Sequence, residues 1–436
     1  RCLIAQAPTG IGKTLATTFP LLRGWSAQQT DKLFFLSAKT SGRAVALEAL
    51  ERLARPAPAL RIVELTAREK LCEHPGRACH GDDCPLARGF YDRLPGARAE
   101  AVAVHRLDGS ALRDVARRHA VCPYFLSQEM VRWSDVVVAD YNYWFDGSAF
   151  LHALTKQEEW QVAVLVDEAH NLLERARAMY SAPLDAVAFE AARALATGAL
   201  RAPLQRVGRE WQALQQAQPT DYQAHERVPE RLQQALQDAV AVLAEHFAER
   251  PQAAGGPLQR FFFDALQFLR LANSLGDHSV FDSTLASDQA PSSLAVRNLV
   301  PAPFLQPRFA AAATTVCFSG TIAPFGFYRD MLGMPGRTVE LEVDSPFEAR
   351  QLAVRIVTDL STRLRDRSRA VRPLVDLMSA QFERQPGNYL AFFSSFEFLE
   401  QARTLFAALH PGVPVWTQTA AMRENEREAF VARFRT

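Results

Sequence analysis

Lysine is scarce in this 436-residue chain. Lys13, Lys32, Lys39, Lys70 and Lys156 are its only examples in a basic complement that is otherwise arginine. We read the arginine- and alanine-rich bias as genomic, so each retained lysine asks for a chemical explanation. Excess charge is missing too: 49 Lys and Arg against 48 Asp and Glu leave a formal net charge of +1. That excludes a globally basic nucleic-acid binder and leaves only local basic grooves for such a role. No apolar run reaches membrane length, and the opening RCLIAQAPTG is too short for a leader and ends in a turn. Six cysteines in a chain this long do not resemble a secreted disulfide scaffold. These absences predict a cytoplasmic protein without membrane contact. In such a setting clustered cysteines bind metal or do redox work more often than they form staples. Hydrophobic residues at 48% and charged residues at 22% are ordinary for a globular chain. The length predicts about two to four domains, each with a core of its own.

Lys13 lies in CLIAQAPTGIGKTLATTFPLL, an apolar run (Cys2–Ala5), a glycine-rich turn and a helical pattern. Residues Ala7, Pro8, Thr9, Gly10, Ile11, Gly12, Lys13 and Thr14 fit a phosphate-binding loop with Ala7 in place of the usual first glycine. Gly10 and Gly12 would let the backbone curl until its N–H groups face phosphate oxygens. The following helix N-terminus favours an anion. Lys13 would reach the β- and γ-phosphates of ATP, and the Thr14 hydroxyl would ligate Mg²⁺.

A second signal is VAVLVDEAHNLLERA, an apolar strand (Val162–Val166) ending in Asp167, Glu168, Ala169 and His170. Acids at the C-terminal end of a buried parallel strand stand where α/β folds build their sites. Asp167 would hold Mg²⁺ through water, Glu168 would activate the attacking water, and His170 would couple the site to a neighbouring motif. Acids capping the next helix explain one carboxylate, but not the quartet. A third strand, Thr315–Phe318, ends in Ser319, Gly320 and Thr321, hydroxyl residues suited to a hydrogen-bond relay.

Taken in order, APTGIGKT, VDEAHNL and SGTIAP resemble the XPD/DinG branch of superfamily 2, the iron–sulfur DNA helicases. FFLSAKTSGRA (34–44) is similar to that family's motif Ia, SDVVVADYNYWFD (134–146) to the segment before its DEAH box, and GNYLAFFSSFEFLEQ (387–401) to motif IV. Gln6 and Ile11 stand where Glu and Thr are common in the family. The chain shows no Q-type motif and nothing like motifs V and VI, so it is expected to be a bacterial member truncated at both ends.

The resemblance implies an α/β fold: a RecA-like P-loop motor domain carrying an iron–sulfur module and a helical arch insertion, then the start of a second RecA-like domain. Motor domain 1 would comprise 1–65, 123–180 and 275–335, the iron–sulfur module 66–122, the arch 181–274, and partial motor domain 2 residues 336–436. It also implies that Cys72, Cys79, Cys84 and Cys122 hold a 4Fe–4S cluster, with Arg68 near cluster and DNA. Their spacing is C-x6-C-x4-C-x37-C. Four thiolates satisfy such a cluster. Thiolate chemistry by itself supports zinc as well, although zinc sites usually show two tight cysteine pairs. His74 and His80 read as loop surface, and Cys2 and Cys317 as core thiols. A module of about 55 residues with so little apolar content is expected to need a metal to fold.

In the insertion, Leu232, Leu236, Val240, Leu243 and Phe247 recur at helical spacing, and Phe262, Leu266 and Leu269 continue it after the break PQAAGGP (251–257). Beyond 336, a helix (Ala370–Arg384), a strand (Tyr389–Phe393) and a helix (Glu397–Leu409) are expected. Lys39, Thr40 and Arg43, after a strand, are the expected DNA-phosphate contacts. Of Tyr141, Tyr143 and Trp144, which could stack on bases, at least two are expected in the core. The function expected is an ATP-dependent DNA helicase on single-stranded and forked duplex DNA, 5′→3′ by resemblance, in repair or roadblock removal, in a nucleoid-associated setting. Alternatives are a non-unwinding translocase or RNA helicase, and a nucleic-acid-binding module without turnover.

Overall fold

A computed structural model describes residues 1–54, 60–250, 256–287, 291–422 and 424–433. Most of the PQAAGGP break and the last residues of the chain lie outside them. The chain divides into two compact units, Arg1–Pro346 and Phe347–Thr436.

Twelve strands form among the described residues: β1 (Cys2–Gln6), β2 (Lys32–Leu36), β3 (Ile62–Glu64), β4 (Arg106–Leu107), β5 (Val136–Ala139), β6 (Val162–Asp167), β7 (Ala182–Asp185), β8 (Tyr222–His225), β9 (Ser279–Thr284), β10 (Ser293–Asn298), β11 (Thr314–Ser319) and β12 (Val339–Glu342). Eight make one sheet in the order β12-β1-β11-β6-β2-β5-β3-β4, and every neighbouring pair is parallel. The central strands are apolar throughout because both sheet faces are covered. Side-chain alternation divides them between two cores. Phe34, Leu36, Val137, Val164 and Val166 fill one. Leu33, Phe35, Val136, Val138 and Leu165 fill the other, with Ala46, Leu47 and Leu50 of the helix Thr40–Ala54. The parallel α/β reading of the motor domain holds. The edge strand β12 pairs with β1, and the first unit accordingly continues to Pro346, beyond the expected boundary at 336.

The segment 66–122 does contain an apolar core, contrary to expectation. The helices Phe90–Val102, Gly109–His119 and Pro123–Met130 bury Leu94, Ala97, Ala101, Leu112, Val115, Ala116 and Leu126. Asp108 caps the second of these by accepting from the amides of Ser110 and Ala111. β4 also joins the main sheet beside β3. Alanines spaced along a helix bury as well as larger residues, and a low count of bulky side chains hid this core. Only the turn-rich stretch 72–89 is left without one.

The insertion is not purely helical. Helices Ala186–Ala194, Arg201–Gln216, Glu230–Glu249 and Gly256–Ala272 form, but a second, antiparallel sheet β7-β10-β9-β8 lies with them. Its β9 and β10 come from residues assigned above to the motor domain. The strands APLD and YQAH carry no β-branched residue and gave no strand signal. Leu232, Leu236 and Leu243 are buried as expected. In the next helix Phe261, Ala265, Phe268 and Leu269 turn inward, while Leu266 faces out.

In the second unit, helices Arg367–Arg384 and Phe396–Leu409 pack through Val375, Ala402 and Phe406. Ser395 caps the latter by accepting from the Phe398 amide at 3.2 Å. The expected strand at Tyr389–Phe393 is not a strand: it has no regular secondary structure, and Leu390 and Phe392 are exposed. A strand exists only with a ladder partner, and no described residue supplies one.

Candidate active site

Three of the strands, β1, β11 and β6, are neighbours at the sheet centre. Parallel pairing puts their C-terminal ends side by side, so three motifs far apart in sequence arrive at one edge. The loop after β1 turns through Gly10 and Gly12, both left-handed at φ 89° and 85°. A Cβ at either would meet nothing, so positive φ, not crowding, calls for glycine there. Lys13 opens the helix Lys13–Arg23, and its ammonium donates to the carbonyls of Ala7 and Pro8 at 3.2 and 3.3 Å.

Beside it, the Ala7 amide donates to the Ser319 carbonyl at 2.9 Å. A Cβ on Gly320 would come within 3.2 Å of Thr9 Oγ1, so the Ser-Gly-Thr turn rests on the loop. Ser319 Oγ, fully buried, donates to Glu168 Oε2 at 3.1 Å and stands 2.6 Å from His170 Nδ1. One hydroxyl proton serves one acceptor, so with it on Glu168 the His170 Nδ1–H donates to Ser319. The Thr321 amide also donates to Ser319 Oγ, at 3.2 Å.

Asp167 accepts from Ser37 Oγ at 3.4 Å. Burial, and next the charge of Glu168, push its carboxyl up to about 6. Glu168 itself has a left-handed backbone, φ 49°. The fully buried Tyr141 donates toward the carbonyls of both Asp167 and Glu168, at 3.0 Å for the latter. Burial raises the Tyr141 phenol far above its ordinary range, so it stays a donor.

Several of these contacts were not foreseen. Gln6 accepts from the Ile322 and Ala323 amides at 2.9 Å each and donates to Glu342 at 3.3 Å, a role the usual Glu could not fill toward Glu342. A Cβ on Gly42 would collide with Ser37 Oγ and stand 3.1 Å from Asp167 Oδ2, so this glycine admits the helix to the carboxylate. Position at a strand's C-terminal end was the available signal for Ser37 and Tyr141.

A second site lies at the cysteines. Cys72, Cys79, Cys84 and Cys122 line one pocket with Arg68, Tyr124 and Phe125, and all four are free thiols. Arg68 Nη1 approaches Cys79 Sγ at 3.8 Å. Burial first, then the neighbouring Cys72 and Cys79, raise the Cys122 thiol, against backbone N–H bonds that lower it. Among the described residues, no group of three or more His, Cys, Asp or Glu stands as a ligand set for a single ion. Cys2 and Cys317 are buried core thiols, as expected.

A broad cleft adjoins this pocket, sharing Arg68, Cys79, Tyr124 and Phe125 with it and running past Thr40, Lys70, Tyr143 and Arg175. Lys39 and Arg68 are exposed. Arg43 is not the expected loop-surface cation: it is 5% exposed and its Nε donates to Glu64 at 3.3 Å. Its long side chain folds inward from the first turn of a helix. Tyr141 and Trp144 are core residues, and Tyr143 alone of the three lines the cleft.

Comparison with known proteins agrees with this geometry. The DEAD_2 family matches residues 35–188. The Regulator of telomere elongation helicase 1 homolog of Drosophila melanogaster is 30% identical over 179 residues, 38% of this chain and 18% of that protein. Its counterpart in Anopheles gambiae is 32% identical over 127 residues, 26% of this chain and 12% of that protein. The matches thus span under a fifth of these relatives' length. Among solved structures, an XPD helicase superposes with a TM-score of 0.59 at 17% identity, covering 99% of this chain and 75% of that one. Xpd4 of S. tokodaii gives 0.57 at 14% identity, covering 99% and 75%. These structures establish a shared fold. The DEAD_2 match, the motif order and that fold together support an XPD/DinG-like superfamily 2 helicase.

Proposed function

We propose that this chain is the motor part of an ATP-dependent DNA helicase that translocates on single-stranded DNA. The observation that carries the reading is the convergence of Lys13, Asp167, Glu168, His170 and Ser319 at one sheet edge, with Ser319 between Glu168 and His170. The loop amides of 9–14 would cradle the phosphates of ATP, and Lys13 would exchange the Ala7 and Pro8 carbonyls for phosphate oxygens. Thr14 and Asp167 would hold Mg²⁺, which when bound neutralises charge on the phosphates. Glu168 would orient and activate the attacking water. The His170–Ser319–Thr321 chain would pass the state of that carboxylate to the adjoining loop.

The cysteine pocket fits a 4Fe–4S cluster. It offers four free thiols, three from the stretch 72–89, which has no apolar core of its own, and one from Cys122 at the start of a helix. When bound, the cluster would cross-link the stretch 72–84 to Cys122. Arg68, Thr40 and Lys70 line the cleft and would meet DNA there, and Lys39 would meet DNA phosphates from the exposed surface. Tyr143 would stack on a base. Movement 5′→3′, forked substrates, a repair or roadblock-clearing role and a cytoplasmic location follow from the family resemblance. No described helix is long and apolar enough to cross a membrane.

The test uses the full-length protein with oppositely tailed forked DNA and matched RNA substrates. ATP-dependent unwinding of the 5′-tailed DNA fork is expected, and Lys13→Ala is expected to abolish it with the fold intact. Unwinding of RNA only, or turnover retained in Lys13→Ala, would overturn the reading.

A further inference from the structure

The segment Asp140–Tyr143 touches both the candidate nucleotide site and the cleft. Tyr141 reaches inward, where its hydroxyl shares one proton between the carbonyls of Asp167 and Glu168. Those carbonyls belong to the two peptides flanking Glu168. Its neighbours reach the cleft. Asp140 and Asn142 each accept from Arg175 Nη2 at 2.8 Å, and Tyr143 donates to the Thr66 carbonyl at 3.1 Å. Asp140, Asn142, Tyr143 and Arg175 all line the cleft. Arg175 in turn lies on the helix that begins at His170.

Glu168 holds a left-handed conformation that non-glycine residues rarely adopt, φ 49°. Such a backbone persists only where its surroundings over-determine it. The Asn171 amide and Nδ2 also donate to the Glu168 carbonyl, at 2.9 and 3.2 Å, and the Ala169 amide to the Phe318 carbonyl at 3.1 Å; of these restraints only the Tyr141 hydroxyl comes from a fully buried ring in the segment 140–143 and holds both flanking carbonyls. The ring is fixed by the core, and its partners are main-chain atoms, so a small movement of 140–143 is transmitted to the Glu168 peptide.

We propose that Tyr141 is a positioning residue for Glu168: it sets the aim of the carboxylate and ties it to the segment that lines the cleft. The proposal rests on the reading of Glu168 as the residue that orients the attacking water. It predicts that removing one hydroxyl lowers turnover without weakening nucleotide binding.

The experiment is Tyr141→Phe in the full-length protein, with steady-state ATPase rates with and without single-stranded DNA and binding of a fluorescent ATP analogue. Tyr180→Phe is the control. Tyr180 is also buried and donates to a carbonyl, that of Phe145 at 2.6 Å, away from the carboxylates. We expect kcat to fall about tenfold or more in Tyr141→Phe, with KM and analogue affinity kept within about twofold. Tyr180→Phe should keep kcat. In a Glu168→Gln background, Tyr141→Phe should add no further loss. An unchanged kcat in Tyr141→Phe, an equal loss in Tyr180→Phe, or full additivity with Glu168→Gln would overturn the proposal. Failure of the underlying site reading shows differently: the wild type would not bind the analogue, or Lys13→Ala would bind and hydrolyse as the wild type does.

Discussion

Ser319 Oγ stands 2.6 Å from His170 Nδ1 and 3.1 Å from Glu168 Oε2, although 149 residues separate Ser319 from His170. One hydroxyl thus joins two strand ends. Ser319→Ala removes the joint and leaves the phosphate loop untouched. Nucleotide affinity should hold, while DNA-stimulated turnover drops about tenfold. Comparing stimulated and basal ATPase rates checks this. Equal losses in both would show that Ser319 serves the chemical step alone.

Asp167 gives a pH dependence. Its carboxyl is raised to about 6, chiefly by burial and then by Glu168. Below that pH it is protonated and a poor partner for Mg²⁺, so Mg²⁺-dependent nucleotide binding should weaken as pH falls through about 6. The sign for stability is the opposite. A carboxyl whose folded value is raised costs stability above that value, and the cost disappears as pH falls below the unfolded value. Asp167→Asn should therefore stabilise the fold at pH 8 by on the order of 1 kcal/mol while abolishing turnover. Thermal melts at pH 5 and pH 8 measure it. A gain at pH 5 as large as at pH 8 would refute the titration account.

The cysteines divide into two classes. Cys72→Ser should cost the anaerobically purified protein its iron and its brown colour, and loosen the stretch 72–89. Cys317→Ala, in a fully buried strand, should keep the iron and lose about 1–2 kcal/mol of stability for the small cavity left. Metal analysis and visible absorption decide. Stoichiometric zinc in a colourless wild type would displace the cluster assignment.

Arg43 is predicted to matter for stability. Arg43→Ala leaves Glu64 without its partner in a largely buried site, at a cost of about 3 kcal/mol. DNA affinity should change less than for Arg68→Ala, which is expected to weaken binding and flatten its salt dependence. Melting curves and salt titrations of binding separate the two. A stable Arg43→Ala with lost DNA affinity would restore Arg43 as a phosphate contact.

How far the sequence could be read depended on the kind of signal. Gly10, Gly12 and Lys13, the acids after Val162–Val166 and the hydroxyls after Phe318 are local patterns with a chemical meaning. Strand-then-polar-tip predicted their common edge. Phe34, Phe35 and Val136–Ala139 were noted only within segments similar to family motifs, and the structure shows them as strands covered on both faces. The helix Glu230–Glu249 was legible through its leucine spacing. The strands β7 and β8 were not, because they carry no β-branched residue and their pairing with β10 and β9 is long-range. The Tyr389–Phe393 error is the converse: local preference without a partner does not make a strand.

The amino-acid sequence by itself determined the phosphate loop, the acid-bearing DEAH stretch and their order, because each depends on residue type and short spacing; the four-cysteine set, with its 37-residue last gap, came only with the family resemblance. Tertiary structure alone decided which side chains meet. It brought Ser319 to His170, turned Arg43 inward to Glu64, set Gly42 against Asp167 and placed Tyr141 under the Glu168 backbone. Those contacts depend on strand order and helix approach, which are fixed by burying two apolar sheet faces at once. No short stretch of sequence encodes that condition.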